Sequence, residues 1–475
     1  MTPINLQKSH EEADVIQVAD HAVERKAITI VGGGPVGLFL AMLLARRGHR
    51  VELFEARPDP RHEEAQRGKS INLTLSERGQ AALRVLGLEA QVLDELCTPL
   101  HRRDVHTTSH TSRLRYGRPL QAVSRTALTR YLVDAASQEP NVRLHFGHRC
   151  TKLDPAVATI TVVDQQTGQR RQVQSDLVVG ADGASSIVRR HMHQGQLADF
   201  SIGYLPWRYK ELTVTSEAAE SGVLGRNAFH AWPGGKFLMF AIPNRDGSFN
   251  AVIVLPASGE DSFESLTTPA AVTDFFHRHL NDVVPYMPNL TEQFLRGSPS
   301  GFPTVKTSSW RFADKVVIIG DAAAAVVPFY GQGANAGLEG SLVLDECLAA
   351  HPEDWDMALA AYQERRKPHR DVLADLSHKN FDMLREGTRR PHVVARREVN
   401  EFLHRLLGDR AMSLSYAVQH TTIPYEHCKY RTERFQRLAR LAGLDLVVGL
   451  VALRHTISGW LRRTRAGAAK RHLGK

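Results

Sequence analysis

The chain has 475 residues, 42% hydrophobic and 23% charged, a composition that excludes a disordered polymer and a length that predicts two or more domains. Its 60 basic and 51 acidic residues give a formal charge of +9; because the arginines fall at helical spacing, with no basic stripe interleaved with aromatics, a solvated basic surface is expected and a nucleic-acid partner is not. Four cysteines, Cys97, Cys150, Cys347 and Cys428, stand far apart without a CxxC pair, so neither metal ligation nor a disulfide framework is expected, and a reducing cytoplasm is the expected location.

In chain order, residues 1–26 read as a loose polar extension that lacks the apolar stretch of a secretory signal. Residues 27–57 predict a βαβ unit: strand KAITIVG, helix PVGLFLAMLLARRG and strand HRVELFEAR. Helices are expected from Ser76 to Cys97 and over SRTALTRYLVDAASQ, where Ser124 is a candidate N-cap. Strands VRLHFG, ATITVVD and RQVQSDLVVGAD are expected to return to the same domain. From Tyr204 to Pro256 the alternating runs RYKELTVT, NAFHAWP, GKFLMFAIP and SFNAVIVLP predict an antiparallel sheet. DKVVIIGDA then brings the chain back, and the remainder is nearly all helical.

The predicted fold class is α/β. A Rossmann-like FAD-binding domain is expected over 27–200 and 306–350, with an antiparallel-sheet substrate domain over 201–305. A helical C-terminal region over 351–440 and a basic tail over 441–475 complete the chain.

Three glycine-rich turns, each between a β-branched strand and a helix, indicate FAD when taken together. In ITIVGGGPVG, Gly32, Gly34 and Gly37 fit G-x-G-x-x-G, with Val36 in the turn. Such glycines permit the tight turn, the approach of a pyrophosphate and close helix–strand packing. Glu55, at the end of the next strand, is placed to accept hydrogen bonds from the adenosine ribose. Arg57 and Arg125 are further cofactor candidates. The second turn, DLVVGADGASSIVR, carries Asp182. In the third, VVIIGDAAAAVVPFYGQGAN, Asp321 can accept from ribityl hydroxyls. Gly333, Ala334 and Asn335 open a long helix whose N-terminal amides suit the anionic edge of reduced flavin.

Gly-Ala-Asp-Gly followed by Val-Arg resembles the DG fingerprint of the group A FAD-dependent aromatic hydroxylases, where it lies near FAD and NADPH. FEARPDPR, GKSINLTLSERGQAALRVLGL from Gly68 to Leu88, YKEL from Tyr209 to Leu212, NAFHAWPGGKFLMFAIPNRDGSF and PFYGQGAN are similar, within that group, to the kynurenine 3-monooxygenase family. The resemblance covers roughly residues 27–430. It implies that FAD, with NADPH and O2 as cosubstrates, hydroxylates an aromatic amino acid, L-kynurenine, beside its ring amine through a C4a-hydroperoxyflavin.

Carried over by position, the resemblance makes Arg103 the partner of the substrate carboxylate, with Tyr116 assisting and Arg102 as an adjacent competitor. It places Asn380 and Tyr416 near the substrate. Phe329 and Gln332, at the mouth of the flavin helix, are the candidates for contact with the reacting ring. The chain departs from the family pattern at Ala324, where histidine is common, at Ala334, at Gly340 and around Asn380. A related hydroxylase of an anthranilate-like or tryptophan-derived acid is therefore the alternative.

After Asp445 the chain has no acidic residue, while Arg454, Arg462, Arg463, Arg465, Lys470, Arg471 and Lys475 follow the apolar run LVVGLVAL. The run is too short to span a bilayer. Two readings stand: an amphipathic anchor on anionic lipid, and a C-terminal helix covering the substrate domain.

Overall fold

The computed structural model describes residues 25–62, 72–107, 111–194, 198–386, 390–441, 443–454 and 456. Residues 1–24 of the N-terminal extension, Gly68 to Ile71 of the SINL run and the tail from Arg462 to Lys475 lie outside them.

The first sheet has six strands in the order Arg311–Phe312, Val316–Ile318, Leu177–Gly180, Ala27–Val31, Arg50–Glu55 and Val142–Phe146. All neighbours are parallel except the first pair. Its three central strands, VVI, LVVG and AITIV, are nearly continuous apolar runs, as expected where a sheet is covered on both faces. The helix Pro35–Arg46 is apolar on every side and has ten buried residues, so it lies inside the domain rather than on its surface. Val31 pairs with Phe54 and with Gly180, and Gly180 pairs with Ile318. This register brings Gly32, Glu55, Ala181 and Gly320 to the carboxyl ends of adjacent strands, where open α/β sheets bind ligands.

The second sheet has eight strands, in the order Ser300–Thr307, Phe200–Val214, Phe249–Pro256, Leu238–Pro243, Ala228–Pro233, Cys97–His106, Thr111–Ser124 and Asn72–Leu75. Three of these precede residue 201, so the sheet draws on more of the chain than the run of alternating strands that predicts it. Ala228–Pro233 and Cys97–His106 are parallel, with Phe229 opposite Arg103. In Phe200–Val214, Leu212 and Val214 join a core with Phe275 and Phe276 of the helix Pro269–His279. Tyr209 and Glu211 take the opposite face, as the period of a strand requires.

Two sequence expectations differ from the structure. ATITVVD and RQVQ do not extend the parallel sheet; Thr159–Asp164 and Arg170–Gln174 pair with His148–Asp154 as a separate three-stranded antiparallel sheet. Tight turns place these strands beside each other, and local pairing wins. The expected helix from Ser76 to Cys97 is broken: Glu77–Val85 ends before Gly87, which has φ 74°, and Cys97 already begins a strand.

The remaining chain is helical: Gly333–Ala350, Trp355–Arg385, Pro391–Leu407 and Tyr425–Leu441. Among the described residues no helix is long and apolar enough to cross a membrane.

Candidate active site

One cavity runs from the first glycine turn to the face of the eight-stranded sheet. Gly34, Val36, Arg125, Asp321, Gly333 and Ala334 line one part; Arg103, Tyr116, Phe229, Phe240, Phe329 and Gln419 line the other.

The glycine turn is built as a dinucleotide cradle. Gly32 has φ 113°, and a Cβ there would meet Ala181 O at 2.4 Å. A Cβ on Gly37 would meet Gly32 O at 2.1 Å, while one on Gly34 would meet nothing within 4 Å and would occupy only cavity space. Two of the glycines thus permit the turn, and the third keeps the phosphate path open. Glu55 accepts from Gly33 N at 2.7 Å and from Arg57 N at 2.8 Å and Nε at 2.9 Å. Burial acts against its charge, yet the Arg57 hydrogen bonds and the Gly33 amide hold the carboxyl below its usual range. It is therefore an anionic acceptor at the strand end.

Asp321 opens the short helix Gly320–Ala324, and its side chain is half exposed toward the cavity. The last carbonyls of that helix are all capped by side chains: Arg189 Nη1 donates to Ala322 O at 2.7 Å, Thr307 Oγ1 to Ala323 O at 2.8 Å, and Arg370 Nη2 to Ala324 O. Orphan carbonyls at a helix end attract cations for this reason. These residues fit FAD: an open glycine turn, an acid at the ribose position, an acid at the ribityl position and the start of Gly333–Ala350. Bound FAD supplies hydride acceptance and the activation of dioxygen.

Asp182 does not reach into the cavity. Its carboxylate accepts from Ser186 Oγ at 2.5 Å, Ile187 N at 2.7 Å and Val188 N at 3.2 Å, so it caps the following helix. Asn335 is buried and likewise committed: Nδ2 donates to Thr74 O and to Gly331 O, both at 2.7 Å, and Oδ1 accepts from Ser76 N at 2.9 Å. It staples the segment after Asn72 to the flavin helix. Gln332 accepts from Tyr425 OH at 3.0 Å, while its buried Nε2 has no partner.

At the other end, Arg103 is 8% exposed, and its Nε is buried without a hydrogen-bond partner. Its guanidinium lies 5.1 Å from the centroid of Phe229, which stacks on Phe240 at 5.8 Å. The Tyr116 hydroxyl is also buried and unpartnered. A cation and a hydroxyl with free donors beside two aromatic rings match an aromatic carboxylate, since buried polar groups otherwise find partners. Arg102 points away and binds Asp104 at 2.8 Å.

Phe329 packs on Phe381 at 4.3 Å and on Phe302 at 5.2 Å. Asn380 stands behind it, donating to Phe329 O at 2.7 Å. Tyr416 packs at a tilt against His404 at 4.3 Å and His420 at 4.8 Å, and His420 in turn lies 6.0 Å from Tyr116. Neither Asn380 nor Tyr416 lines the cavity. Sequence reasoning missed Phe229, Phe240, Tyr209, Gln419 and the carbonyl-capping Arg189 and Arg370. The alternation in NAFHAWP and KFLMFAIP could have marked the two phenylalanines, and Arg189 stands in the Val-Arg of the second motif; nothing local marks Arg370.

Residues 25–377 match the family described as FAD binding domain, which makes the class of this protein an FAD-binding flavoprotein with a dinucleotide-binding sheet. A kynurenine 3-monooxygenase of Salinispora arenicola is 44% identical over 450 residues, spanning 93% of this chain and 99% of that protein. One from Salinispora tropica is 43% identical over 447 residues, spanning 92% and 98%. The crystal structure of 2-methyl-3-hydroxypyridine-5-carboxylic acid oxygenase, mutant Y270A, has a TM-score of 0.64 at 21% identity, covering 76% of this chain and 94% of that one, and shares the fold. The chain belongs to the kynurenine 3-monooxygenase family of FAD-dependent aromatic hydroxylases.

Proposed function

We propose that this enzyme hydroxylates L-kynurenine to 3-hydroxykynurenine, with NADPH as reductant and O2 as oxygen source. The observation that carries the substrate class is the buried, unpartnered Arg103 beside the Tyr116 hydroxyl and the Phe229–Phe240 pair, at the end of the flavin cavity. The guanidinium and the hydroxyl bind the amino-acid carboxylate; the phenylalanines hold the ring and exclude water. Phe329 closes the cavity from the Pro328–Tyr330 turn before the flavin helix, and Asn380 fixes Phe329 through its carbonyl. Tyr416 and His420 support Tyr116 from outside. Gln332 does not line the cavity; its side chain is buried against Ser76 and Tyr425, so it serves the turn before the flavin helix. Arg57 and Arg125 serve the cofactor, and Asp182 holds the second turn, whose Ala181, Gly183 and Ala184 line the cavity.

The test is the purified yellow protein with NADPH, oxygen and L-kynurenine. A product heavier by one oxygen is expected; NADPH oxidation that releases only peroxide would sink the proposed substrate.

We also propose peripheral contact with anionic lipid. The helix over residues 444–454 buries Val448 against Ala395 and Val399, but leaves Leu446, Val447, Leu450 and Leu453 exposed. The basic tail follows directly, and together they match an interfacial amphipathic segment. Sedimentation with anionic vesicles, lost on deletion of residues 444–475, is expected; equal sedimentation of the deletion would exclude the contact.

A further inference from the structure

The helix Gly320–Ala324 carries the FAD-facing Asp321, and its C-terminal end is gripped by a cation from another part of the fold. Arg370 projects from Trp355–Arg385 and is 2% exposed. Its Nη2 donates to Ala324 O and lies 3.7 Å from Asp321 Oδ1. Its Nη1 is buried and has no partner.

The neighbouring charges do not neutralise it. Arg366 binds Glu339 at 2.8 Å and Arg78 binds the same carboxylate at 2.7 Å. Arg189 is occupied with Ala322 O and Ala184 O. The remaining titratable groups facing Arg370 are the buried phenols Tyr362 and Tyr425, both pushed up by burial and therefore uncharged at neutral pH. Asp321 is thus the one carboxylate for Arg370 among the described residues, and it sits beyond hydrogen-bond range. Burial lowers the affinity of Arg370 for its proton and Asp321 works against that fall; a guanidinium nevertheless remains charged. A buried, under-compensated cation makes an added negative charge nearby favourable.

We propose that Arg370 is a positioning residue of the FAD site, which fixes the Asp321 segment by capping Ala324 and whose buried charge stabilises reduced FAD over oxidised FAD. The inference depends on FAD alone, and its test contains no aromatic substrate, so it can fail while the kynurenine reaction stands, and the reverse.

The experiment compares Arg370→Met with Thr307→Val, which removes a neutral cap from Ala323 O on the same helix. FAD dissociation constant, melting temperature and the midpoint potential of bound FAD are measured on each. For Arg370→Met, binding of reduced FAD should weaken about tenfold more than that of oxidised FAD, a shift of about 30 mV toward negative potential for a two-electron couple. Thr307→Val should lower the melting temperature at the wild-type potential. An Arg370→Met protein with the wild-type potential overturns the proposal and leaves Arg370 a structural cap. If Arg370→Met does not fold, Arg370→Lys decides: it keeps the charge and loses the fork, so a wild-type potential with weaker FAD binding supports the proposal, and a tenfold change in the ratio of binding constants overturns it.

Discussion

Arg103 and Arg102 are adjacent in sequence and opposite in space. A strand sends successive side chains to opposite faces, so one guanidinium enters the cavity and the other binds Asp104 on the far side. Arg103→Ala should raise the apparent KM for kynurenine ten- to a hundredfold, the equivalent of about 1.5–3 kcal/mol for a charge-assisted hydrogen bond, with FAD content unchanged in the visible spectrum. Arg102→Ala should leave that KM alone; equal effects from both would mean that the carboxylate is bound elsewhere. Residue spacing could not decide between them, because the facing of Cys97–His106 is set by its pairing with Ala228–Pro233, a partner far along the chain. The glycines were legible for the converse reason: Gly32 and Gly37 answer to backbone atoms of their own turn and its neighbour. Asp182 and Asn335 share motifs with true cavity residues, yet their side chains are taken up by helix capping and by a staple, a distinction that only hydrogen-bond partners reveal.

Among elements, the contact between Gly333–Ala350, Glu77–Val85 and Trp355–Arg385 depends on a buried ion triad. Glu339 lies between Arg78 and Arg366, and Arg78 also stacks 4.0 Å over Tyr425. Burial opposes the Glu339 charge most strongly, but the two arginines outweigh it and hold the carboxyl below its usual value. An acid with a depressed folded value contributes its stability above its ordinary titration range and loses it as pH falls toward the folded value. Glu339→Gln should therefore cost about 3 kcal/mol at pH 7, since two buried cations lose their partner. The deficit relative to wild type should shrink below about pH 4, the ordinary glutamate range. Urea titrations at both pH values measure this; a constant deficit would assign the loss to packing. Secondary structure here was readable from apolar spacing, but the triad was not, since it joins three helices that no local pattern links.

For the whole molecule, the acid limb of stability is set by histidines that must stay neutral. Burial lowers His230 and His420 to about 4. His230 lies in the substrate sheet, and His420 lies against Tyr116 and Tyr416. For a base with a depressed folded value the unfolded chain takes up the proton first, so stability is lost as pH falls from about 6.5 toward 4. The denaturation midpoint should fall between pH 7 and pH 5, and His420→Gln should flatten that fall; an unchanged slope would exclude His420 as a contributor. The parallel sheet, the antiparallel runs and the helical end were all legible as periodicity and turn chemistry. Their assembly was less so, because strands from four separate stretches make one sheet.

That mixed origin bears on how specificity can be moved between relatives. The cavity wall proposed to hold the substrate has two sources: Arg103, Tyr116 and Leu120 come from the hairpin embedded in the nucleotide-binding half, and Phe229, Phe240 and Ile242 from the later strands. A chimera that imports only residues 201–305 from a hydroxylase of another acid would inherit half a pocket from each parent, and should turn over neither parent's substrate efficiently. Transplanting residues 72–124 as well should restore coupled turnover of the donor's substrate, measured as product formed per NADPH consumed. Those two outcomes would make the inheritable unit of substrate choice a sheet, not a continuous stretch of gene.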